Sequence, residues 1–495
     1  MKAESVRADD VVQTNELARL SAVELLEGFR TGRFTPRDVI EDVISALELT
    51  NASCNVVVTP AYEQARAAAD CATAAWSSGQ PQGKLTGVPV SIKDLVYVAG
   101  LPALGGAPAN KDLVPSADAA AVSALKSAGA IVTCKTTTCE SGYKLTADSP
   151  VSGITRNPWN RDRTSGGSSG GAAASIAAGC GPLAIGTDGV GSIRVPSAFC
   201  GVVGIKPTFG LVPRSPGFSP PSWASLAHTG PIARTVADAA LLLETVAIHD
   251  LRDAASLPVP ARRFDATPMK LDGIRIGSSI DFGYAAVAPD IRRAFQSAVE
   301  TLGSLGADIV PDCVQFEPDM LERILKPIAY TEQAAAVSAR GAAALMASDV
   351  EYRDLVAKGA SYSGIEYVEA GYRRNSLRTS FMEIFGKVGA IVTPTVAVTA
   401  FAAGALGVDE IDGVAVDRHL GWSPFSWPIN LTGLPAATIP CGFDADGLPI
   451  GLQIIAPWLD EGLIVRIAAA FECARPWSQF RPTMSGPEFV AVNGG

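Results

Sequence analysis

Short runs of β-branched residues alternate along this chain with alanine-rich stretches of helical spacing, and this alternation restricts the possible folds more than any other feature. The predicted elements begin in the order strand 88–92, helix 117–127, strand 131–134, helix 170–178 and strand 202–205. The pattern continues with strand 274–278, helix 289–305, strand 308–311, a long helical region from about 318 to 385, and strand 390–393. Such alternation is typical of a β-sheet covered by helices. The sequence therefore predicts an α/β fold.

Two further helices are predicted ahead of these elements. Ser21 and Glu24 have the spacing of a capping box, in which both side chains satisfy backbone N–H groups at a helix start. Pro36, directly after Thr35, suits the first position of a second helix. No linker, repeat or low-complexity tract interrupts the 495 residues, so we predict one large domain over 1–495.

The charge balance and the distribution of apolar residues exclude several classes of partner. Forty Lys and Arg residues against 50 Asp and Glu residues give a net charge of −10, which leaves no positive excess to neutralise nucleic acid phosphates. The most membrane-like stretch, 170–187, consists mostly of small residues and contains Pro182, which suits an internal helix and turn better than a membrane span. Residues 1–10 are acidic and lead into no apolar segment, so no secretory signal is predicted and a cytoplasmic location is expected.

Two glycine-rich segments carry the most unusual chemistry of the chain. The first reads TSGGSSGG at 164–171, and the second reads GTDGVGSIRVP at 186–196. Glycines at this density allow the backbone to aim several N–H groups at one point, and serines at 168 and 192 lie within the two segments. Taken alone, each segment could equally be a structural turn.

Other motifs with related patterns fit less well. A phosphate-binding loop would need glycine where Cys134 stands, and a dinucleotide fingerprint would need glycine where Ala184 stands. The segment around Ser168 does match the nucleophile elbow of α/β-hydrolases, which requires a histidine further along the chain.

The three histidines offer little support for such a hydrolase or for a metal site. His249 and His419 are predicted to be solvated surface residues, because polar neighbours surround them, and only His228 lies in a segment suited to line a pocket. No pair of histidines has zinc-binding spacing, and the nine cysteines are scattered without a C-x-x-C pair. We expect no metal ion and no cofactor.

A serine hydrolase without a well-placed histidine needs another base, and Lys93 is the candidate. Lys93 ends the apolar segment GVPVSIK at 87–93. Burial lowers the pKa of a lysine because desolvation disfavours the charged form, and a neutral lysine can accept a proton from a serine.

Together, three segments resemble the amidase signature family of Ser-cisSer-Lys hydrolases. They are GVPVSIKD at 87–94, TSGGSSGG at 164–171 and GTDGVGSIRVPSAFCGVVGIKPT at 186–208. Shorter stretches extend the resemblance to nearly the whole chain: GITRNPW at 153–159, GPIARTVAD at 230–238, NLTGLP at 430–435 and GLPIGLQ at 447–453. The resemblance implies a single large α/β domain with a twisted mixed β-sheet surrounded by α-helices. Its core would lie at about 75–245 and 385–475, and a more variable helical region on the substrate side at about 310–425.

The resemblance also implies a role for each residue of the matched motifs. Ser192 would be the nucleophile that carries the acyl group, Ser168 the bridging serine that follows a cis peptide bond, and Lys93 the base. The oxyanion hole would be formed by the backbone N–H groups of Gly189, Val190, Gly191 and Ser192. The positions expected to orient these groups are Ser169, Asp188 and Arg194.

Val190 departs from the family pattern, which usually has glycine at this position. Valine cannot easily adopt a positive φ, and its isopropyl group adds bulk beside the oxyanion. The sequence therefore predicts a narrower acyl pocket or a weaker oxyanion hole.

The resemblance implies that Gly142 and Tyr143 line the substrate channel. Further aromatic residues lie in irregular segments rich in Gly, Pro and Ser, where they can form the wall of a pocket. They are Phe209, Phe218, Trp223, Trp422, Phe425 and Trp427. Such walls favour a neutral, apolar or aryl amide, anilide or carbamate over a charged substrate. Hydrolysis would release an amine or ammonia and an acid, with esters as side substrates because their leaving group departs more easily.

Two alternatives to a stand-alone amidase stay open. The first is the glutamine-hydrolysing A subunit of a tRNA-dependent amidotransferase, although that subunit typically reads TGGSIRQP where this chain has GVGSIRVP. The second is a catalytically impaired binding protein of the same fold, because valine at 190 is predicted to weaken the oxyanion hole. The expected partner is a small-molecule amide, with no nucleic acid and no membrane, and a homodimer is one arrangement that the chain leaves open.

Overall fold

The computed structural model describes residues 16–218, 226–338, 345–483 and 490–491, and its central feature is a sheet of 11 strands. In chain order these strands are β1 Val57–Pro60, β2 Pro89–Lys93, β3 Ile131–Thr136, β4 Leu183–Asp188, β5 Val203–Lys206, β6 His228–Ala233, β7 Arg275–Ser278, β8 Asp308–Val310, β9 Ala390–Pro394, β10 Ala436–Phe443 and β11 Pro449–Ile455. In space they are ordered β1-β3-β2-β4-β6-β5-β10-β11-β9-β7-β8. Four small two-stranded ribbons lie outside this sheet.

Helices surround the sheet. They are α1 Ala22–Thr31, α2 Pro36–Cys54, α3 Tyr62–Ser77, α4 Ala120–Ser127, α5 Gly170–Ala178, α6 Arg194–Cys200, α7 Val236–Val246, α8 Pro289–Ser304, α9 Lys326–Ser338, α10 Val350–Ser361, α11 Gly364–Phe385, α12 Trp427–Thr432 and α13 Glu461–Ala474. A five-residue π-helical turn, Leu321–Leu325, leads into α9. The predicted capping box of Ser21 and Glu24 is present, and the second helix begins at Pro36 as predicted, with an additional capping box of Thr35 and Asp38.

The sheet is mixed, as the family resemblance implies. Strand β2 runs parallel to both β3 and β4, whereas β4 pairs with β6 in the antiparallel sense. All five residues of β2 are buried, as expected for a parallel strand covered on both faces. The predicted α/β class is confirmed.

Five strands of the sheet were not predicted from the sequence: β1, β4, β6, β10 and β11. All five contain glycine or proline, which in a single sequence usually indicate a turn. In particular, the predicted helix and turn at 170–187 is the short helix α5 followed by the buried strand β4. The predicted helical region from about 318 to 385 is divided into α9, α10 and α11. Within the described ranges we find no helix with the length and apolarity needed to span a membrane.

The chemically interesting residues collect at one edge of the sheet. Lys93 is the last residue of β2, and Asp188 is the last residue of the neighbouring parallel strand β4. Because carboxyl ends of adjacent parallel strands lie at the same sheet edge, Lys93 and the second glycine-rich segment lie close together there, ahead of α6. The first glycine-rich segment, which leads into α5, reaches the same place, where Ser168 contacts Lys93.

Candidate active site

Lys93 and Ser168 are joined by a short hydrogen bond inside the protein. The Lys93 side chain is fully buried, and its Nζ atom donates to Ser168 Oγ at 2.7 Å and to Thr187 Oγ1 at 2.8 Å. Burial lowers the pKa of Lys93 to about 7. A large fraction of the Lys93 amines is therefore neutral near pH 7, as a proton acceptor requires.

Close backbone packing holds Ser168 in place. The peptide bond between Gly167 and Ser168 is cis, as the resemblance implies. A Cβ atom at Gly167 would lie 2.1 Å from the backbone oxygen of Thr146, so that only glycine fits here. The side chain of Ser168 is consequently directed by a rigid segment.

Ser192 lies in the turn between β4 and α6, on the same cavity as Ser168. Its backbone oxygen accepts a hydrogen bond from the Ser169 N–H at 3.1 Å, and the Ser169 hydroxyl in turn donates to the Thr187 backbone oxygen at 3.1 Å. Ser169 therefore connects the two glycine-rich segments. Thr187 was not singled out from the sequence, although it lies within the segment that carries the resemblance.

The turn that contains Ser192 is wrapped around the carboxylate of Asp188. This carboxylate accepts hydrogen bonds from the Gly191 N–H at 2.8 Å, from the Ile193 N–H at 3.1 Å and from Arg194 Nε at 3.0 Å. Burial acts to raise the pKa of Asp188, but the charge and hydrogen bonds of Arg194 outweigh it and hold that pKa well below its usual range. Asp188 is therefore an anion that fixes the shape of the turn.

Two residues from distant segments complete this buried network. Arg194 donates to Gln453 Oε1 at 2.7 Å and to Asn430 Oδ1 at 2.6 Å, while Asn430 Nδ2 donates to the Asp188 backbone oxygen at 3.0 Å. The sequence carried a signal for both, since they lie in the matching stretches 430–435 and 447–453. Their contact with Arg194 required the tertiary structure.

Three backbone N–H groups of the turn are available to a ligand. Those of Gly189, Val190 and Ser192 donate no hydrogen bond to other residues in the described part of the chain. The fourth candidate, the Gly191 N–H, is already bound to Asp188, so the structure removes Gly191 from the predicted donor set.

The positive φ anticipated near Val190 falls on its neighbour instead. Gly191 has φ +132°, and a Cβ atom there would lie 2.6 Å from Ser426 Oγ. Val190 does not share this conformation, and its backbone oxygen accepts a hydrogen bond from Ser426 Oγ at 2.7 Å. The prediction that valine would be disfavoured by a positive φ at position 190 was therefore wrong. The prediction that its side chain adds bulk is still open, and this side chain lines the cavity.

A cavity of about 650 Å³ opens onto both serines. Of the predicted substrate-binding residues, it is lined by Gly142, Tyr143 and Phe218. Trp223 lies outside the described residues. Phe209 and His228 line a separate small cleft.

Trp422, Phe425 and Trp427 do not line this cavity, contrary to the prediction. All three are buried in the hydrophobic core. Trp422, for example, stacks on Phe199 with ring centroids 5.9 Å apart. These aromatic side chains fill the core because neighbouring elements cover the segment 422–427, which ends in the first residue of α12.

His419 was predicted to be a surface residue, and this was wrong. It lines the cavity, and its Nδ1 atom shares a hydrogen bond of 2.8 Å with the hydroxyl of Tyr330 on α9. Burial lowers its pKa to about 4. His249 is exposed, as predicted.

We expect Asp188→Asn to lower the free energy of unfolding by about 3–5 kcal/mol, because it leaves the Arg194 guanidinium buried without its counter-charge. Urea unfolding of the purified variant measures this loss. The matched control is Asp308→Asn, which removes an exposed partner of Arg275 and should cost at most about 1 kcal/mol. Equal losses in both variants would contradict the structural role of Asp188.

Known proteins resemble this chain over most of its length. The sequence model of a protein family described as Amidase matches residues 38–465. An acylamidase of Rhodococcus erythropolis is 33% identical, with 94% of this chain and 98% of the relative covered. The A subunit of the glutamyl-tRNA(Gln) amidotransferase of Thermosynechococcus vestitus is 36% identical, with 82% of this chain and 88% of the relative covered.

Among solved structures, a bacterial aryl acylamidase of the amidase signature enzymes superposes with a TM-score of 0.86 at 30% identity, over 93% of this chain and 97% of that one. A 6-aminohexanoate cyclic dimer hydrolase complexed with substrate superposes with a TM-score of 0.83 at 27% identity, over 95% and 99% of the two chains.

Proposed function

Because this chain belongs to the amidase signature family, whose enzymes hydrolyse C–N amide bonds, we propose that it cleaves its substrate through an acyl-enzyme on Ser192. One observation carries the proposal: the Nζ atom of the buried Lys93 lies 2.7 Å from Ser168 Oγ, within reach of a proton transfer and beside the cavity that Ser192 also lines. A lysine in water would be charged at neutral pH and could not act as a base.

In the proposed mechanism, neutral Lys93 takes the proton of Ser168 while Ser168 takes the proton of Ser192. Ser192 Oγ then attacks the amide carbonyl carbon, and a tetrahedral intermediate forms. Reversal of the proton relay protonates the leaving amine, the C–N bond breaks and the acyl group stays on Ser192. Water hydrolyses this ester, which releases the acid and restores the serine.

The negative oxygen of the intermediate would be held by the N–H groups of Gly189, Val190 and Ser192. Donors fixed in advance stabilise this charge as it develops, and a single donor is typically worth about 3 kcal/mol. The Asp188 carboxylate supports this arrangement because it holds the turn through Gly191 and Ile193.

The proposed substrate has an apolar or aryl group next to the scissile amide, as in an anilide or a carbamate. Apolar side chains line the cavity beside the serines, among them Leu95, Val190, Phe218 and Leu226. The similarity to an acylamidase and an aryl acylamidase points in the same direction. A hydrolysis panel of aryl amides, alkyl amides, carbamates, aryl esters and glutamine tests the proposal, with aryl amides expected among the good substrates and esters as side substrates. Failure to cleave any amide would overturn it.

The alternative is glutamine hydrolysis within an amidotransferase, and the 36% identity to the Thermosynechococcus vestitus protein supports it. Preference for glutamine in the panel, together with copurification of a second protein chain, would replace the stand-alone amidase by this function.

We expect Val190→Gly to widen the acyl pocket without disturbing the oxyanion donors, since the valine N–H becomes a glycine N–H in an ordinary conformation. The kcat/KM ratio for a branched over an unbranched acyl anilide should rise about tenfold, which corresponds to about 1.4 kcal/mol. Steady-state kinetics on the two anilides measures this ratio. An unchanged ratio would show that Val190 does not limit the acyl group.

A further inference from the structure

Glu332 is a carboxylate on the wall of the cavity that the proposed mechanism does not use. It lies on α9 and lines the same cavity as Ser168 and Ser192. Among the residues that the structure describes, it is the only carboxylate on this wall, and it makes no hydrogen bond or ion pair there with Lys93 or with either serine.

The Glu332 carboxylate has only one weak partner among the described residues. The one hydrogen bond found for its side chain within the described ranges comes from the Tyr367 hydroxyl, at the long distance of 3.5 Å. No Lys or Arg nitrogen of the described residues lies within ion-pair distance of it. Glu332 is half-buried and faces the cavity, so a carboxylate with so weak a partner in the protein is placed to bind a ligand there.

The charges around Glu332 do not hold its carboxylate as one half of a structural ion pair, which leaves it able to accept a hydrogen bond from a ligand. Burial raises the pKa of Glu332 to about 7, and the more distant charges of Arg374 and Arg214 only partly oppose this. A nitrogen donor that enters the cavity would compensate the lost hydration and stabilise the carboxylate.

The residue next to Glu332 on α9 supports the same interpretation. Gln333 also lines the cavity, and its side-chain oxygen accepts a hydrogen bond from the Tyr352 hydroxyl at 2.9 Å. This polar part of the wall adjoins apolar side chains such as Leu355 and Ala336. A pocket with few polar groups among apolar walls is typical of a specific small-molecule site.

We propose that Glu332 is a specificity-determining residue that accepts a hydrogen bond from an N–H group of the substrate, so that preferred substrates carry an N–H donor in addition to the scissile amide. The inference rests on the proposed amide hydrolysis and narrows its substrate class. The shared chemistry is an N–H donor, which an ammonium group or a second amide can supply.

The test uses four anilides whose acyl chains have equal length and end in a methyl, a primary amide, an ammonium or a carboxylate group. For the wild-type protein, kcat/KM should be at least about tenfold higher for the amide-ended or the ammonium-ended substrate than for the methyl-ended one. The arm with the higher value identifies the source of the N–H group. Equal values for the methyl, amide and ammonium arms, or a preference for the carboxylate, would overturn the inference.

Variants of Glu332 separate recognition from structure. Glu332→Ala should remove the preference, mainly through KM, and leave the methyl-ended substrate within about threefold of wild type. Glu332→Gln retains an acceptor oxygen and should keep the amide preference while losing an ammonium preference. The matched control, Glu369→Gln, removes an exposed carboxylate two residues from Tyr367 and should change none of the four values.

The results also distinguish a failure of the proposed amide hydrolysis from a failure of the proposed role of Glu332. Cleavage of all anilides without donor preference would retain the proposed function and overturn the role of Glu332. An equal loss for every substrate in Glu332→Ala would assign the residue to structure and overturn its recognition role. Cleavage of none by the folded wild-type protein would overturn the proposed function, and the inference with it.

Discussion

Replacement of Ser192 by alanine is expected to lower kcat/KM for amide hydrolysis by about 10⁴–10⁶-fold. The variant lacks the oxygen that attacks the carbonyl carbon, while the cavity, Lys93 and Ser168 remain in place. Residual turnover would come only from substrate binding and from the oxyanion donors, which act without a nucleophile. Steady-state kinetics with an aryl amide measures the loss.

Intact mass after treatment with a fluorophosphonate provides an independent measurement of the same prediction. The wild-type protein should gain one adduct, and Ser192→Ala should gain none. The control Ser376→Ala removes an exposed hydroxyl on α11 and should be labelled like the wild type. An adduct that persists in Ser192→Ala would assign the nucleophile to another residue. The absence of an adduct on folded wild-type protein would favour the impaired binding protein.

Replacement of Lys93 by methionine is expected to lower kcat/KM by about 10²–10⁴-fold, the usual contribution of a positioned general base. Methionine fills a similar volume in a fully buried position, so the fold should persist. The loss should appear in kcat, because Lys93 acts on protons and not on substrate binding.

The pH dependence carries the specific signature of Lys93. Burial lowers the pKa of Lys93 to about 7 in the folded protein, and only its neutral form accepts a proton. The wild-type kcat/KM should therefore be low in acid, rise as the pH increases through about 7 and level off above it. In Lys93→Met this rise should be absent.

Glu332 requires a separate control, since burial raises its pKa to about 7 as well. With the methyl-ended anilide, Glu332→Gln should retain the rise in kcat/KM, and so should Lys206→Met, which removes a buried lysine outside the cavity lining. A rise that persists in Lys93→Met, or that disappears in Glu332→Gln, would contradict the assignment to Lys93.

Several parts of the fold could be predicted because their signals are local. The capping box at Ser21, the start of α2 at Pro36 and the bounds of α5 depend on residues a few positions apart. The strands with glycine or proline could not be predicted, because β4 and β6 are stabilised by pairing with each other across the sheet. Such pairing overrides the turn preference of these residues.

For the candidate site, too, some features could be predicted from the sequence and others could not. The sequence by itself determined which residues are proposed to carry the chemistry, since Lys93, Ser168 and Ser192 lie in motifs whose residue types and spacing are visible in the chain. It could not determine which wall residues reach the cavity: Trp422 and Trp427 are in the core, whereas His419 and Glu332 line the cavity.

Only the tertiary structure decided the pKa of Lys93 and the hydrogen-bond partners of the site residues. Burial by strands and loops from distant parts of the chain lowers the pKa of Lys93 to about 7, and its hydrogen bond to Ser168 joins residues 75 positions apart. The hydrogen bond between Arg194 and Asn430 joins residues 236 positions apart. It helps to fix the turn in which the Gly191 N–H donates to Asp188. Burial and hydrogen-bond partners depend on contacts between distant segments, and these contacts exist only once the chain has folded.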